Sequence, residues 1–219
     1  LRKLITFALV WFIFVVWGIE LGVAWVFKSI TGSWISQSSS VYLSKVWTIN
    51  CLRLLAVIAL LRWLGLSFGD LTRGSFGTRE LRLSLLVVFA VLLVEVAYYL
   101  KSYSPQILRE FHYHLGISQS TWLALASLAS EYVYYTLEIL AVNLLYRGAL
   151  KLGNERFAVL LPTVLWGSAH ALNVIVMPPI EALLLAVYMT VFAFLIYNAT
   201  QKTRSLKVPI FIWLVSMAL

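Results

Sequence analysis

Charge is scarce in this chain. Only 12% of its 219 residues are Asp, Glu, Lys or Arg, about half the share a soluble domain carries (~25%). That scarcity excludes an ordinary soluble module. Cysteine is nearly absent too. The single Cys51 excludes an internal disulfide and has no thiol partner for a zinc site. There is no Gly-rich phosphate loop, no C-x-x-C, no H-E-x-x-H and no internal repeat. The formal charge is +8, but no basic tract is interleaved with aromatics, so the sequence points to no nucleic-acid partner. It implies no metal site and names no cofactor.

What is present is apolar. Hydrophobic residues make up 62% of the chain, and the mean hydropathy is +0.90. A helix needs roughly 20 apolar residues to cross the hydrocarbon core. Candidate spans are 4–27, 46–66, 83–101, 121–147, 157–177 and 180–199, and a seventh begins near Val208. The fold class is therefore all-α, a polytopic transmembrane helix bundle of six to seven spans, and up to eight in the native chain. Residues 1–219 read as a single membrane domain. Within it, 1–120 is a three-span part with an interfacial segment, and 121–219 is a second part. The chain starts at Leu1, so its natural start is expected further upstream. The stretch Leu4–Phe27 reads as a retained first span, because it is too long for a signal-peptide core and has no clear cleavage site.

The loops alternate in charge. One side carries Arg2, Lys3, Arg73, Arg79, Arg82, Arg147, Lys151, Arg156, Lys202, Arg204 and Lys207. The other carries Lys28, Lys45, Lys101 and Arg109. The positive-inside rule puts the amino end and Arg147 on the cytoplasmic or equivalent side. The Asn198-Ala199-Thr200 glycosylation pattern then falls at an inside end. Basic loops meet anionic headgroups, so membrane lipid is an expected partner. Nine tryptophans and eleven tyrosines exceed the needs of interfacial belts and leave room for neighbouring subunits.

Between the third and fourth spans, Ile107, Phe111 and Leu115 recur at i, i+4 and i+8, as on a short interfacial helix. His112 and His114 are two apart, which is poor metal spacing and reads as interfacial. Inside the spans, Glu20, Arg53, Glu95, Glu131, Glu138 and His170 are ionisable, and such residues face protein or water rather than lipid. By helical rise, Glu20, Arg53 and Glu95 lie about 24, 20 and 18 Å from the inner boundary, so a charge-neutralised pair or triad is expected there. Ser127, Glu131, Tyr134 and Glu138 form one stripe on the fourth span. Thr163, Trp166, His170 and Asn173 form another on the fifth, beside the small residues Gly167 and Ala169, which permit close helix contact.

The stretches "LLYRGAL" and "VLWGSAH" together resemble the CAAX-protease and bacteriocin-processing family (CPBP, also called Abi) of intramembrane proteases. Its first motif is E-E-x-x-x-R followed by glycine, its second F-x-x-x-H, its third H-x-x-x-N. Arg147 and Gly148, preceded by Tyr146, match the end of the first. Trp166 to His170 matches the second, with Trp for Phe. Ser205 to Trp213 looks like the approach to the third. The resemblance covers roughly residues 121–219. It departs at Val142 and Asn143, which stand where the paired glutamates belong, at Trp213, which replaces the third motif's histidine, and near Met217, where its asparagine would fall.

The resemblance implies peptide hydrolysis, with a glutamate activating water and His and Asn positioning water or stabilising the oxyanion. Valine is no base, neutral asparagine takes no proton at pH 7, and indole only donates. The inherited candidate site is thus His170, Asn143 and Arg147. Glu138 and Glu131, at about 14 and 24 Å, are nearer in depth to His170 at about 20 Å than the motif position Asn143 is at about 6 Å. Three readings follow. The first is a catalytically degenerate member acting as scaffold, subunit or binder of a hydrophobic peptide or lipid. The second is an active endopeptidase with Glu138 or Glu131 as relocated base beside His170. The third is a transporter or channel component.

Overall fold

The computed structural model describes residues 1–118 and 120–219 and is all-α. Its α-helices are α1 (Arg2–Phe14), α2 (Trp17–Thr31), α3 (Ser39–Leu64), α4 (Thr78–Tyr99), α5 (Gln106–Ile117), α6 (Thr121–Leu152), α7 (Glu155–Pro162), α8 (Pro179–Thr203) and α9 (Lys207–Ser216). Five helical stretches are long and apolar enough to cross a membrane, as in a multi-pass protein: Arg2–Thr31, Ser39–Leu64, Thr78–Ser102, Glu155–Ile175 and Pro179–Thr203. Helix α6, with 32 residues, is about 48 Å long. Its polar stripe dilutes its hydropathy, yet it is the centre of the bundle.

Local signals set the boundaries. Ser38, Ser120 and Asn154 cap α3, α6 and α7 with side-chain oxygens, satisfying N–H groups that have no intrahelical partner. Gly65 ends α3 in the left-handed region, where a Cβ would be strained. Pro179 opens α8, where its missing N–H costs nothing.

Two expected spans are not continuous α-helices. The first breaks at Val15–Val16, and at the break the carbonyl of Ile13 lies so near Gly18 that a Cβ there would sit 1.9 Å from it. The fifth runs as α7 to Pro162, widens into a π turn over Thr163–Gly167 and tightens to 3-10 over Ser168–Ile175. Pro162 ends the regular stretch because it brings a ring and no N–H.

Helix α6 packs against α1, α3, α5, α7 and α9, and α8 closes the other side against α4, α7, α9 and the 163–175 segment. Residues 139–146 of α6 are all buried. The core joins Phe7, Trp11 and Leu60 to Leu144, Trp166, Phe192 and Trp213, so residues before and after 120 share it. Helix α9 is too short to cross but is buried through Val208, Pro209, Ile212 and Trp213.

The basic loops expected on one side do meet at one end. Lys151 Nζ bonds the carbonyls of Leu64 at 2.5 Å and Gly65 at 3.3 Å. Arg79 bonds the Lys202 carbonyl at 3.0 Å, and the Leu206 amide bonds the Arg73 carbonyl at 2.8 Å. Leu4 packs beside Gly153, so the amino end is here as well. At Gly74, φ is +120° and a Cβ would lie 2.5 Å from Ser205. Glycine is what lets the 67–77 loop press onto the turn between α8 and α9.

Candidate functional site

The motif-like residues on α6 serve the basic end. Asn143 is fully buried. Its amide nitrogen donates to the carbonyls of Leu71 at 2.9 Å and Leu206 at 3.1 Å, and its oxygen accepts from the Tyr197 hydroxyl at 3.0 Å. It therefore ties the 67–77 loop, the α8–α9 turn and α8 to α6. Val142 beside it is also fully buried. One turn on, Arg147 lies 3.6 Å from Asp70. Asp70 is already bound to the amide and hydroxyl of Ser67, and those bonds, then the Arg147 and Arg73 charges, hold its carboxyl below the usual range. Gly148 has a packing cause. A Cβ there would meet the Phe7 ring at 2.2 Å, so glycine is what admits α1 to α6.

A second group sits higher in the bundle. Arg53, fully buried, pairs with Glu20. Its Nε and Nη1 donate to the carbonyls of Val15 at 3.3 Å and Tyr134 at 3.4 Å. Its guanidinium lies 4.5 Å from the centre of the Tyr134 ring, a cation–π arrangement. The break between α1 and α2 is what frees the Val15 carbonyl. Glu95 does not join this pair. It accepts from the Tyr188 hydroxyl at 3.0 Å, because α4 faces α8 rather than α3.

His170 and Glu138 are neighbours through Trp166 rather than bonded to each other. Glu138 accepts from the Trp166 indole at 2.8 Å. His170 Nδ1 lies 2.7 Å from the Trp166 carbonyl and 3.2 Å from that of Gly167. Carbonyls only accept, so Nδ1 carries the proton. The bonds have a physical reason. A π turn followed by 3-10 leaves carbonyls without the usual helical partner, and the membrane interior supplies none. Trp17 Nε1 serves the Leu165 carbonyl at 2.9 Å, and the Trp17 ring meets His170 edge-on at 5.1 Å. Gly167 is the contact point with α8, since a Cβ would lie 2.7 Å from the Met189 carbonyl. Trp213, at the third-motif position, is buried, stacks edge-on with Trp166 at 4.9 Å and donates to the Tyr135 carbonyl at 3.1 Å.

Glu131 is not beside His170. It bonds His114 Nε2 at 2.7 Å, and His114 is fully buried rather than interfacial. The Tyr135 hydroxyl bonds Glu110 at 2.6 Å and Glu131 at 3.3 Å, and Gln106 bonds Glu110 at 2.6 Å. The stripe Ser127–Glu131–Tyr134–Glu138 thus divides, Glu131 turning to α5 and Tyr134 and Glu138 to Arg53 and Trp166. The signal for the α5 cluster was present in the sequence. Gln106, Glu110 and His114 recur at i, i+4 and i+8, the same period as the apolar stripe one residue on. Among the described residues, no group of three His, Cys, Asp or Glu has metal-binding geometry.

No family model matches this chain, and neither a curated protein nor a solved structure matches it.

Proposed function

We propose that the chain is a membrane-embedded, catalytically degenerate relative of the CPBP intramembrane proteases, acting as a scaffold or subunit or holding a hydrophobic peptide or lipid. Asn143 carries the reading. At the position where the resemblance would put a catalytic carboxylate, a buried amide spends both donors and its oxygen on protein groups, which leaves nothing to activate water. The other motif-like positions agree. Val142 and Trp213 fill core volume, His170 spends its N–H on two carbonyls, and Glu138 holds an indole. Asn143, Val142 and Trp213 supply no base, and a base there is what the resemblance requires. The positive-inside rule favours the cytoplasmic or equivalent side for the amino end and Arg147. A transport path is disfavoured by Ile139 to Val142, which fill α6 with buried apolar side chains between Glu138 and Asn143.

Gentle extraction into nanodiscs followed by native mass spectrometry tests the binding half of this reading. A particle heavier than the 24.8 kDa chain, with a membrane-protein companion, hydrophobic peptide or lipid at fixed stoichiometry, is expected. A bare monomer with nothing bound overturns it.

A further inference from the structure

The α5 cluster has no part in that reading, and its geometry is unusual. One phenol, Tyr135, lies between two carboxylates, Glu110 at 2.6 Å and Glu131 at 3.3 Å. Tyr135 has a single proton to give, so the two carboxylates cannot both be satisfied by it. His114 Nε2 lies 2.7 Å from Glu131. His114 Nδ1 and Glu110 Oε2 are buried with no partner among the described residues. The cluster is also where α5 is held. The first α5 amides, of Gln106 and Ile107, bond the carbonyls of Leu219 at 2.9 Å and Ala218 at 3.5 Å. The Tyr103 hydroxyl bonds Leu219, and the Tyr132 hydroxyl bonds the Met217 carbonyl at 2.7 Å.

We propose that α5 is a pH-operated clasp, in which the Glu110–Tyr135–Glu131–His114 cluster holds α5 against α6 and residues 217–219 while it shares a proton, and releases α5 as that proton is lost. Two partly buried like charges around one hydroxyl repel, and retention of one proton removes the repulsion. The neighbouring charged and titratable groups do not supply a counter-ion. On α3, Tyr42 meets His114 edge-on at 4.5 Å and Lys45 bonds the Trp34 carbonyl at 3.3 Å. On α5, Arg109 bonds the Ser104 carbonyl, Tyr113 bonds the Ser36 carbonyl at 3.1 Å and His112 faces its own helix at Leu108. On α6, Tyr132 is spent on Met217. Burial, then the Glu131 charge, pushes the Glu110 carboxyl up to about 7.

The sign follows from that direction. A group whose closed-state pKa is raised stabilises the clasp fully below its ordinary value and loses that contribution as pH rises through the raised one. Glu110 therefore loosens α5 from pH 4.5 to about 7. His114 acts oppositely. Burial lowers its pKa from 6.5, so its contribution is present above that value and fades in more acid solution.

Hydrogen–deuterium exchange of the full chain in nanodiscs tests this, with α5 protection expressed relative to the unfolded chain at each pH. Protection of Gln106–Ile117 should fall a few-fold from pH 6 to pH 8 while α4 stays constant. The double variant Glu110→Gln with Glu131→Gln should flatten or reverse the trend, leaving His114 as the titrating group. An α5 protection that is flat with pH in the wild-type chain overturns the proposal without recourse to any variant. So does a double variant that folds and keeps the wild-type trend.

Discussion

Asparagine carries two amide hydrogens and one carbonyl oxygen, and position 143 uses all of them inside the protein. Asn143→Ala should cost about 2–4 kcal/mol, because the Leu71 and Leu206 carbonyls and the Tyr197 hydroxyl all lose a partner in a buried site. Asn143→Asp should cost more, since an ionised carboxylate accepts but does not donate. Reversible unfolding in mild detergent ranks the two, and an aspartate variant as stable as wild type would show that the donors are unimportant. Arg53 makes the same point for charge. Arg53→Ala leaves Glu20 unpaired and should cost about 3–5 kcal/mol, whereas the joint replacement Glu20→Gln with Arg53→Met should cost less than either single change. That ordering is the readout. At this scale the sequence was partly legible. Buried ionisable residues announced that they needed partners, but depth alone grouped Glu95 with Glu20 and Arg53, and Glu95 bonds Tyr188 instead. The partner of Glu131 was not legible, because His114 lies on a helix whose approach to α6 no local periodicity encodes.

Helices α1 and α6 approach through Gly148, and the 163–175 segment approaches α8 through Gly167. The two contacts differ in what an added methyl would strike. At Gly148 it meets the end of the Phe7 side chain, at 2.2 Å, so Gly148→Ala should destabilise by about 1–3 kcal/mol, the range for overpacking. Phe7→Leu should recover part of that loss. At Gly167 it meets backbone, at 2.7 Å from the Met189 carbonyl, and no side-chain trimming on α8 should rescue Gly167→Ala. Thermal melts of the two singles and the Phe7→Leu pairings with each check this, and equal rescue at both sites would refute it. The element list itself was largely readable from apolar runs, caps and loop charge. The π and 3-10 turns were not, since a local change of hydrogen-bond register leaves no mark in a 3.6-residue apolar period. Pro162 marked where regular helix had to end, but one of the hydrogen bonds that steady the segment comes from Trp17, more than a hundred residues earlier.

Across the molecule, the residues that look like a protease motif lie on α6, the 163–175 segment and α9, and do different mechanical jobs at different depths. Asn143, Arg147 and Gly148 fasten the basic end, while Glu138, Trp166, His170 and Trp213 steady an irregular span. The central claim is that these positions keep an architecture and have lost its chemistry. It is tested most directly by product release from a transmembrane peptide library, reconstituted with the purified wild-type chain and with the Glu138→Gln and His170→Ala variants, each also measured for thermal stability. The account predicts lowered stability in both variants and no cleavage product that depends on either residue. A defined product from the wild-type chain that vanishes in a variant of unchanged stability would contradict it.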